Sequence, residues 1–546
     1  MNKKLIQRSI IFFLLVLILI SFGCTGVHKD QKTKDIPKGD YKVAEDYLTK
    51  YIEKQMKKKK VVGLSIVVVE GTEVIYKKGF GYADKKNKIP VTTETIFRVG
   101  SISKVFTVTG AMQLHEQGRF DIDKPLKNYI PNFFLKSRFS EVPVVTPRMI
   151  MTHHSGIPSD LFKDMKAMNP PSYEELIESL HSEYYACQPN VILAYSNLAM
   201  TILGHAIEKV SGQDFVSYID SNILAPLDMK NSSFELKSHM EKLYAKGYIG
   251  KKEVEQFNTF AVPAGLLYSN ADDMGNFIIS ILNGGEFNGK RILKSETLNE
   301  MTKPQNTDIV LDKNTKIGLG WFLISSKLEY AGKVIQHGGD WEDFHAQMTL
   351  LPDHNLGIIV MTNSSTGAGV VRKVAVEGLR IFLEAKEGLK PPEEKEEEKL
   401  KKVKIDVNKY KEYEGYYAIT SGMGAFKFEV INNKLQLSVM KFKLFLVPHP
   451  DDWFSVNLSI LKIFRMKIKD LGILGFRKFD NHQVLMQKTK DKEYLFAIKV
   501  DPEPVSEVWI NREGDYEVVN LEEGAELFPG FSEIFKLKVE DGILLL

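Results

Sequence analysis

The sequence predicts an α/β (α+β) protein: an antiparallel sheet flanked by helices, a helical lobe inserted in its middle, and a separate all-β domain after it. Three observations carry that reading. Strand patterns occur at both ends of the region 39–385, whereas residues 120–320 between them are mostly helical or loop segments, so one sheet is closed by both termini of the region. A stretch almost free of apolar residues, 386–404, contains Pro391-Pro392 and then Glu393-Glu394-Lys395-Glu396-Glu397-Glu398-Lys399, and reads as a charged linker. Beyond it, 405–546 consists of short apolar or alternating runs punctuated by turn residues, the pattern of a sandwich or small barrel.

The elements follow in order. Residues 1–24 read as an export signal: Lys3, Lys4 and Arg8 precede an apolar run over 10–20, and a small residue stands before Cys24. That run is shorter than the roughly 18 to 20 residues of a membrane-spanning helix, which favours cleavage over an uncleaved anchor. Residues 25–38 form a polar tether. Helical spacing over 43–59 leads into the β-branched run Val61-Val62-Gly63-Leu64-Ser65-Ile66-Val67-Val68-Val69, a turn at Glu70-Gly71-Thr72 and a second strand. A helix follows Ser101 to about Gln117, with Gly118 placed as its C-terminal glycine. Strands are predicted at 321–325, 333–337, 345–351 and 356–362, then a helix over 370–385. In the last region the strand runs are 426–431, 435–439, 442–447, 484–487, 494–500 and 516–519, with turns at Asn432-Asn433 and Glu513-Gly514-Asp515.

Composition narrows the function. The 546 residues are 43% hydrophobic and 10% aromatic, with a formal charge of +3, ordinary values for globular domains. Lysine runs at 57–60 and 401–404 lack interleaved aromatics and read as solvated helix ends or linkers, which argues against a nucleic-acid partner. With two cysteines in all, lipid on Cys24 would leave Cys187 alone and no internal disulfide.

The chemistry concentrates in three short motifs. Ser101-Ile102-Ser103-Lys104 sets a hydroxyl and an amine three residues apart on one helix face, and burial there would lower the amine's pKa until it accepts the serine's proton. The same tetrad pattern recurs at Ser438-Val439-Met440-Lys441 and Ser459-Ile460-Leu461-Lys462, both in strand-like runs, so the pattern alone is weak. Tyr195-Ser196-Asn197 offers a phenol and an amide ahead of an apolar helix. Its second copy, Tyr268-Ser269-Asn270, reads instead as a helix N-cap with Asp273 in the first turn. His337-Gly338-Gly339 ends a strand, where glycines let a substrate backbone approach. His153-His154 lacks a third ligand at metal spacing, so no metal is assigned. His345 and His354 read as surface or packing residues.

Read in order, these motifs resemble the serine β-lactamase and penicillin-binding-protein family, of the class C type that also includes esterases, D-alanyl carboxypeptidases and D-aminopeptidases. The resemblance spans about residues 40–385. It adds Phe97-Arg98-Val99-Gly100 before Ser101, Asp121-Ile122-Asp123-Lys124-Pro125-Leu126, Tyr129-Ile130-Pro131, Thr152-His153-His154-Ser155-Gly156-Ile157, Pro263-Ala264-Gly265-Leu266-Leu267-Tyr268-Ser269 and Gly318-Leu319-Gly320-Trp321. The Ser-x-x-Lys signature is itself a known mark of these enzymes.

The resemblance implies a β-lactamase/transpeptidase-like fold, no cofactor, and a role for each matched position. Ser101 would form an acyl-enzyme, with Lys104 and Tyr195 sharing the proton traffic; which is the base stays open. Asn197 would bind the substrate's amide, and the N–H groups of Ser101 and Asp340 would hold the oxyanion. His337, Gly338 and Gly339 stand where β-lactamases carry Lys-Thr-Gly or Lys-Ser-Gly. A mostly neutral histidine there weakens recognition of a substrate carboxylate. The expectation is therefore an exported serine hydrolase of D-amino-acid peptides, amides or esters, with weak β-lactam hydrolysis and a small or peptidoglycan-like acyl substrate.

The alternatives are a penicillin-binding sensor that acylates without turnover, or an inactive scaffold. The segment before Cys24 resembles a bacterial lipobox, which implies a lipoprotein on the outer face of the cell membrane. The C-terminal region resembles the lipocalin-like modules of some family members and could serve self-association.

Overall fold

In the computed structural model the residues described are 35–141, 144–161, 170–256, 259–325, 327–393, 401–403, 407–419, 425–439, 442–460, 464–467, 473–479, 482–489, 492–501, 507–511, 514–517, 534–540 and 543–545. The segment read as an export signal, Cys24, and most of the segment read as a tether lie outside them. The chain divides into two compact units, Asp30–Glu396 and a second that contains Glu397–Leu546.

The first unit is built on β1 (Gly63–Glu70). It pairs on one side with β2 (Glu73–Asp84) and on the other with a strand nearly 300 residues later, β5 (Leu356–Thr362), in the register Leu64↔Thr362 to Glu70↔Leu356. β5 pairs with β4 (His345–Leu351), and β4 with β3 (Ile335–Asp340), all antiparallel. The sheet order is thus β3-β4-β5-β1-β2, with Ile89–Pro90 added at the far edge, and both ends of the domain share one sheet as predicted.

β1 is a run of β-branched residues rather than an alternation because both its faces are covered. Leu64, Ile66 and Val68 pack with α1 (Tyr41–Lys59) and α5 (Ala368–Glu387), whereas Val67 and Val69 belong to the core of the helical lobe. On α1 the buried residues Ala44, Leu48, Ile52 and Met56 recur every four positions, one stripe laid against the sheet. Asp40 caps that helix by accepting from the Val43 N–H at 3.0 Å.

The lobe is organised around α2 (Ser103–Glu116), buried from Ser103 to Leu114. It packs against α3 (Asn197–Ser211), and α4 (Ala271–Leu282) lies against β1 and β5. Gly118 takes φ +69° just past α2, while the Arg119 N–H donates back to Leu114 O at 3.0 Å. That is the glycine stop expected from sequence.

Two predicted boundaries are corrected. Residues Gly100–Ile102 form a 3₁₀ turn, so the helix proper starts at Ser103. No strand forms over 321–325. Gly318 N–H donates to Trp321 O, hooking the chain, and Gly320 sits at φ +74°. Only Phe322 is left to bridge to β3, through Gln336.

In the second unit eight strands follow one another around a closed ring: β6 (Gly415–Ile419), β7 (Ala425–Ile431), β8 (Lys434–Val439), β9 (Phe442–His449), β10 (Trp453–Ile460), β11 (Ile473–Phe479), β12 (His482–Thr489) and β13 (Lys492–Val500), with β13 pairing back to β6. Of the two architectures the sequence allowed, this is the barrel. Closure leaves the ring no free edge. Asn432 and Asn433 both have positive φ, the conformation a two-residue hairpin turn requires. Tyr417, Phe428, Phe454 and Phe476 fill the interior, with neighbouring ring centroids 5.0 to 5.6 Å apart. Ser438 and Ser459 lie on β8 and β10; Lys441 and Lys462 lie outside the described residues, as do 518–519 of the last predicted run.

Candidate active site

The 3₁₀ turn before α2 presents Ser101 beside the end of β3. Gly100 at φ +55° makes this approach feasible, since a Cβ there would lie 2.8 Å from the Asp340 nitrogen. Gly339 is equally constrained: a Cβ on it would fall 1.8 Å from Val99 O. Trp341 N–H donates to Phe344 O at 2.8 Å, so Asp340 and His345 form a non-hydrogen-bonded pair and the Asp340 N–H turns away from β4. That is the side on which Ser101 lies, and the two expected oxyanion donors belong to these adjoining segments.

Lys104 is fully buried. Its Nζ donates to Ser101 Oγ at 3.0 Å and to Ala264 O at 2.7 Å, and it sits 4.9 Å from the centre of the Tyr195 ring. Burial lowers its pKa to about 7, opposed by the carboxylate of Asp160. The segment Val262–Gly265 that supplies Ala264 O is stitched to α2: Thr107 Oγ1 donates to Pro263 O at 2.6 Å, and Leu267 N–H donates to Ser103 Oγ at 2.9 Å. Gly204 on α3 lets this segment approach, because a Cβ would meet Pro263 at 2.2 Å.

Burial raises the Tyr195 phenol pKa well above the ordinary value, and the neighbouring Ser101 opposes that rise. The phenol therefore keeps its proton at neutral pH, while the Lys104 amine is available in both forms. His153 lies behind Tyr195, with ring centroids 4.2 Å apart. Its backbone is left-handed at φ +60°, and its Nδ1 accepts from the Ser196 N–H at 3.2 Å. Desolvation, then the nearby Lys104, depress the His153 pKa and keep it neutral. His154 points elsewhere, its Nε2 paired with Asp312 at 2.8 Å. The two histidines thus have separate duties.

Asn197 is the first residue of α3, and its Nδ2 donates to Asp160 Oδ1 at 2.9 Å. His337 is buried, its Nδ1 2.6 Å from Gly338 O. Burial first, then the Lys104 charge, bring its pKa to about 4, so it carries no charge at neutral pH. The Asp340 carboxylate is held by His345 Nδ1 at 2.7 Å and by Arg372 of α5. Although burial opposes it, those two partners bring the Asp340 pKa to about 2. His345, expected to be a surface or packing residue, is instead a buried partner of the site.

The structure thus brings Ser101, Lys104, Tyr195, Asn197, His337, Gly338, Gly339 and Asp340 to one place from the 3₁₀ turn and first turn of α2, the entrance of α3, and β3. Besides His345, three participants were not read from the sequence: Asp160, Arg372 and the buttress His153. The first two carry no local signal, being single charged residues in segments far apart along the chain. The third was legible only as half of a histidine pair.

A family model described as Beta-lactamase matches residues 48–379, and the chain belongs to that family. Among curated relatives, Protein flp of Staphylococcus aureus (strain N315) is 25% identical over 330 residues, 59% of this chain and 63% of that protein. Beta-lactamase-like protein 2 of Dictyostelium discoideum is 26% identical over 371 residues, 65% of this chain and 66% of its own. The chain therefore spans somewhat less than two thirds of the length of these relatives.

Among solved structures, the octameric penicillin-binding protein homologue from Pyrococcus abyssi aligns with TM-score 0.55 and 25% identity, covering 83% of this chain and 99% of that one. SurE aligns with TM-score 0.63 at 18% identity, covering 84% and 100%. A class C β-lactamase from Rhodobacter sphaeroides aligns with TM-score 0.53 at 20% identity, covering 62% and 99%.

Proposed function

We propose that the protein is a serine hydrolase that forms an acyl-enzyme on Ser101 and cleaves amide or ester bonds, D-amino-acid derivatives among them. The observation that carries this reading is the fully buried Lys104 amine 3.0 Å from Ser101 Oγ with a pKa near neutrality. Neutral Lys104 takes the hydroxyl proton as Oγ bonds to the acyl carbon. The bond from that carbon to the leaving oxygen or nitrogen breaks, and the leaving group receives a proton through Tyr195. Water then attacks the acyl-enzyme with the same groups acting in reverse. The N–H groups of Ser101 and Asp340 hold the oxyanion, and such preorganised donors contribute about 3 kcal/mol each.

A neutral His337 gives a terminal carboxylate no counter-ion, which favours amides and esters over efficient β-lactam hydrolysis. SurE has been solved with D-Leu, which makes D-amino-acid substrates a sensible first panel for this chain. The basic and apolar pattern of residues 1–24 supports export and tethering through lipid on Cys24.

Active-site labelling tests the reading. A fluorescent penicillin and a fluorophosphonate are applied to wild type and Ser101→Ala, followed by nitrophenyl-ester turnover. Label lost in Ser101→Ala together with sustained wild-type turnover is expected. A stable label without turnover would point to a sensor, and equal labelling of the variant would remove Ser101 from the chemistry.

A further inference from the structure

Asp160 sits one residue from a segment tied to the start of α3: Ser159 O accepts from the backbone N–H groups of both Asn197 (2.8 Å) and Leu198 (3.0 Å). Its carboxylate accepts from Asn197 Nδ2 at 2.9 Å and from Ser159 Oγ at 2.6 Å, and its charge is felt by both Lys104 and Tyr195. An ionised carboxylate can only accept hydrogen bonds. The Asn197 amide must therefore turn its nitrogen to Asp160, which takes one of its two N–H groups; what remains for a substrate is the carbonyl oxygen Oδ1, an acceptor, and the second N–H.

The charges around the nucleophile point the same way. His337 is neutral, and Arg372 is held by the Asp340 carboxylate. In the reactive form Lys104 is neutral as well. Asp160's hydrogen-bond partners, Ser159 and Asn197, are uncharged. The site thus offers a substrate the Asn197 carbonyl oxygen as an acceptor and, hydrogen-bonded to the same amide, a carboxylate whose charge reaches Lys104 and Tyr195.

Resting on the hydrolase reading above, we infer that Asp160 and Asn197 form a subsite that selects substrates carrying a free ammonium group on the carbon next to the scissile carbonyl. Unblocked amino-acid esters, amides and N-terminal peptide residues meet that description; N-acylated residues do not. The ammonium donates to Asn197 Oδ1 and is balanced by the Asp160 charge, a charge-assisted arrangement that an N-acetyl group cannot make. The specificity lies in the preference between the two forms, not in the overall rate.

The test compares alanine p-nitroanilide of both configurations, with the amine free and with it acetylated, on wild type, Asp160→Asn and Asp160→Ala. Wild type is expected to favour the free amine by about tenfold or more in kcat/KM at neutral pH and low salt, the worth of one charge-assisted contact. In both variants the ratio should fall towards one, whatever happens to the absolute rates. A second comparison needs no variant: the nitrophenyl esters of alanine and of lactic acid differ in having an ammonium or a hydroxyl, and the wild-type preference for the first should shrink as salt is raised. A wild-type ratio of one or below, or a ratio unchanged in Asp160→Asn, would overturn the inference. Absence of Ser101-dependent turnover of any of these compounds and of p-nitrophenyl acetate would instead overturn the hydrolase reading itself.

Discussion

The tripeptide Tyr-Ser-Asn occurs twice in the helical lobe, each time at a helix entrance, and the two copies do different work. At 268–270 the asparagine is the N-cap of α4: Asn270 Oδ1 accepts from the Asp273 N–H at 2.8 Å, and its tyrosine accepts from Arg98 at 2.9 Å. At 195–197 the cap has moved back by one residue. Ser196 Oγ accepts from the Ala199 N–H at 2.9 Å and donates to Pro158 O at 2.6 Å. With the backbone already satisfied by serine, Asn197 is released from capping to face Asp160, and Tyr195 is set beside Ser101. A one-residue shift in which side chain caps the helix separates a structural corner from part of a reaction centre.

Replacing the two tyrosines breaks this comparison most strongly. Tyr195→Phe removes a proton-transfer group, so kcat should fall by roughly 10² to 10⁴-fold with little change in Tm. Tyr268→Phe removes the acceptor that meets buried Arg98, so stability should fall by about 2 kcal/mol while kcat/KM stays within a few-fold of wild type. Ester turnover alongside thermal melts reads both. Equal losses of activity in the two variants would show that the copies are not functionally distinct.

The second prediction concerns pH. Lys104 has a folded pKa of about 7 against an ordinary 10.5, so its proton-accepting form is lost as pH falls through 7. A plot of kcat/KM should therefore show an acidic limb with an apparent pKa near 7. Linkage gives a companion result. Between about 7 and 10.5 the unfolded chain binds a proton that the folded protein does not, so stability contributed through Lys104 rises with pH across that window and is at its lowest below it. Lys104→Met should thus be inactive yet more stable than wild type at pH 6, with the Tm gap narrowing by pH 10. A Tm gap independent of pH would contradict burial of the amine.

How much of this was legible in the sequence follows from which forces are local. The β-branched run at 61–69, the glycine after α2 and the tandem asparagines at 432–433 write their conformations into one or a few adjacent residues, and the structure places them as expected. Ser101 and Lys104 were legible for the same reason, since a three-residue spacing decides their contact. Asp160 and Arg372 were not. Arg372 belongs to the site because a helix some 30 residues after β3 packs against that strand's sheet, and Asp160 because a loop is tied to α3 by backbone hydrogen bonds. The predicted strand at 321–325 failed through a related omission: Trp321 is buried but 322–325 are only half-buried, and Gly320 turns the chain before a ladder can form.

The smallest expected effects sharpen the comparison of the two asparagines. Asn270→Ala removes an N-cap and should destabilise the protein by about 1 kcal/mol, with Asn270→Ser or Asn270→Asp restoring most of it because either side chain can cap. Asn197→Ala removes no cap, so its Tm should stay close to wild type while kcat/KM falls. Asn197→Ser should not rescue activity, because a hydroxyl cannot span the distance from α3 to both Asp160 and a substrate. Ser196→Ala completes the set: as the true cap of α3 it should lose about the same stability as Asn270→Ala. If Asn197→Ala melted like Asn270→Ala and Ser196→Ala did not, the cap assignment would be reversed, and Asn197 would be a structural residue like its twin.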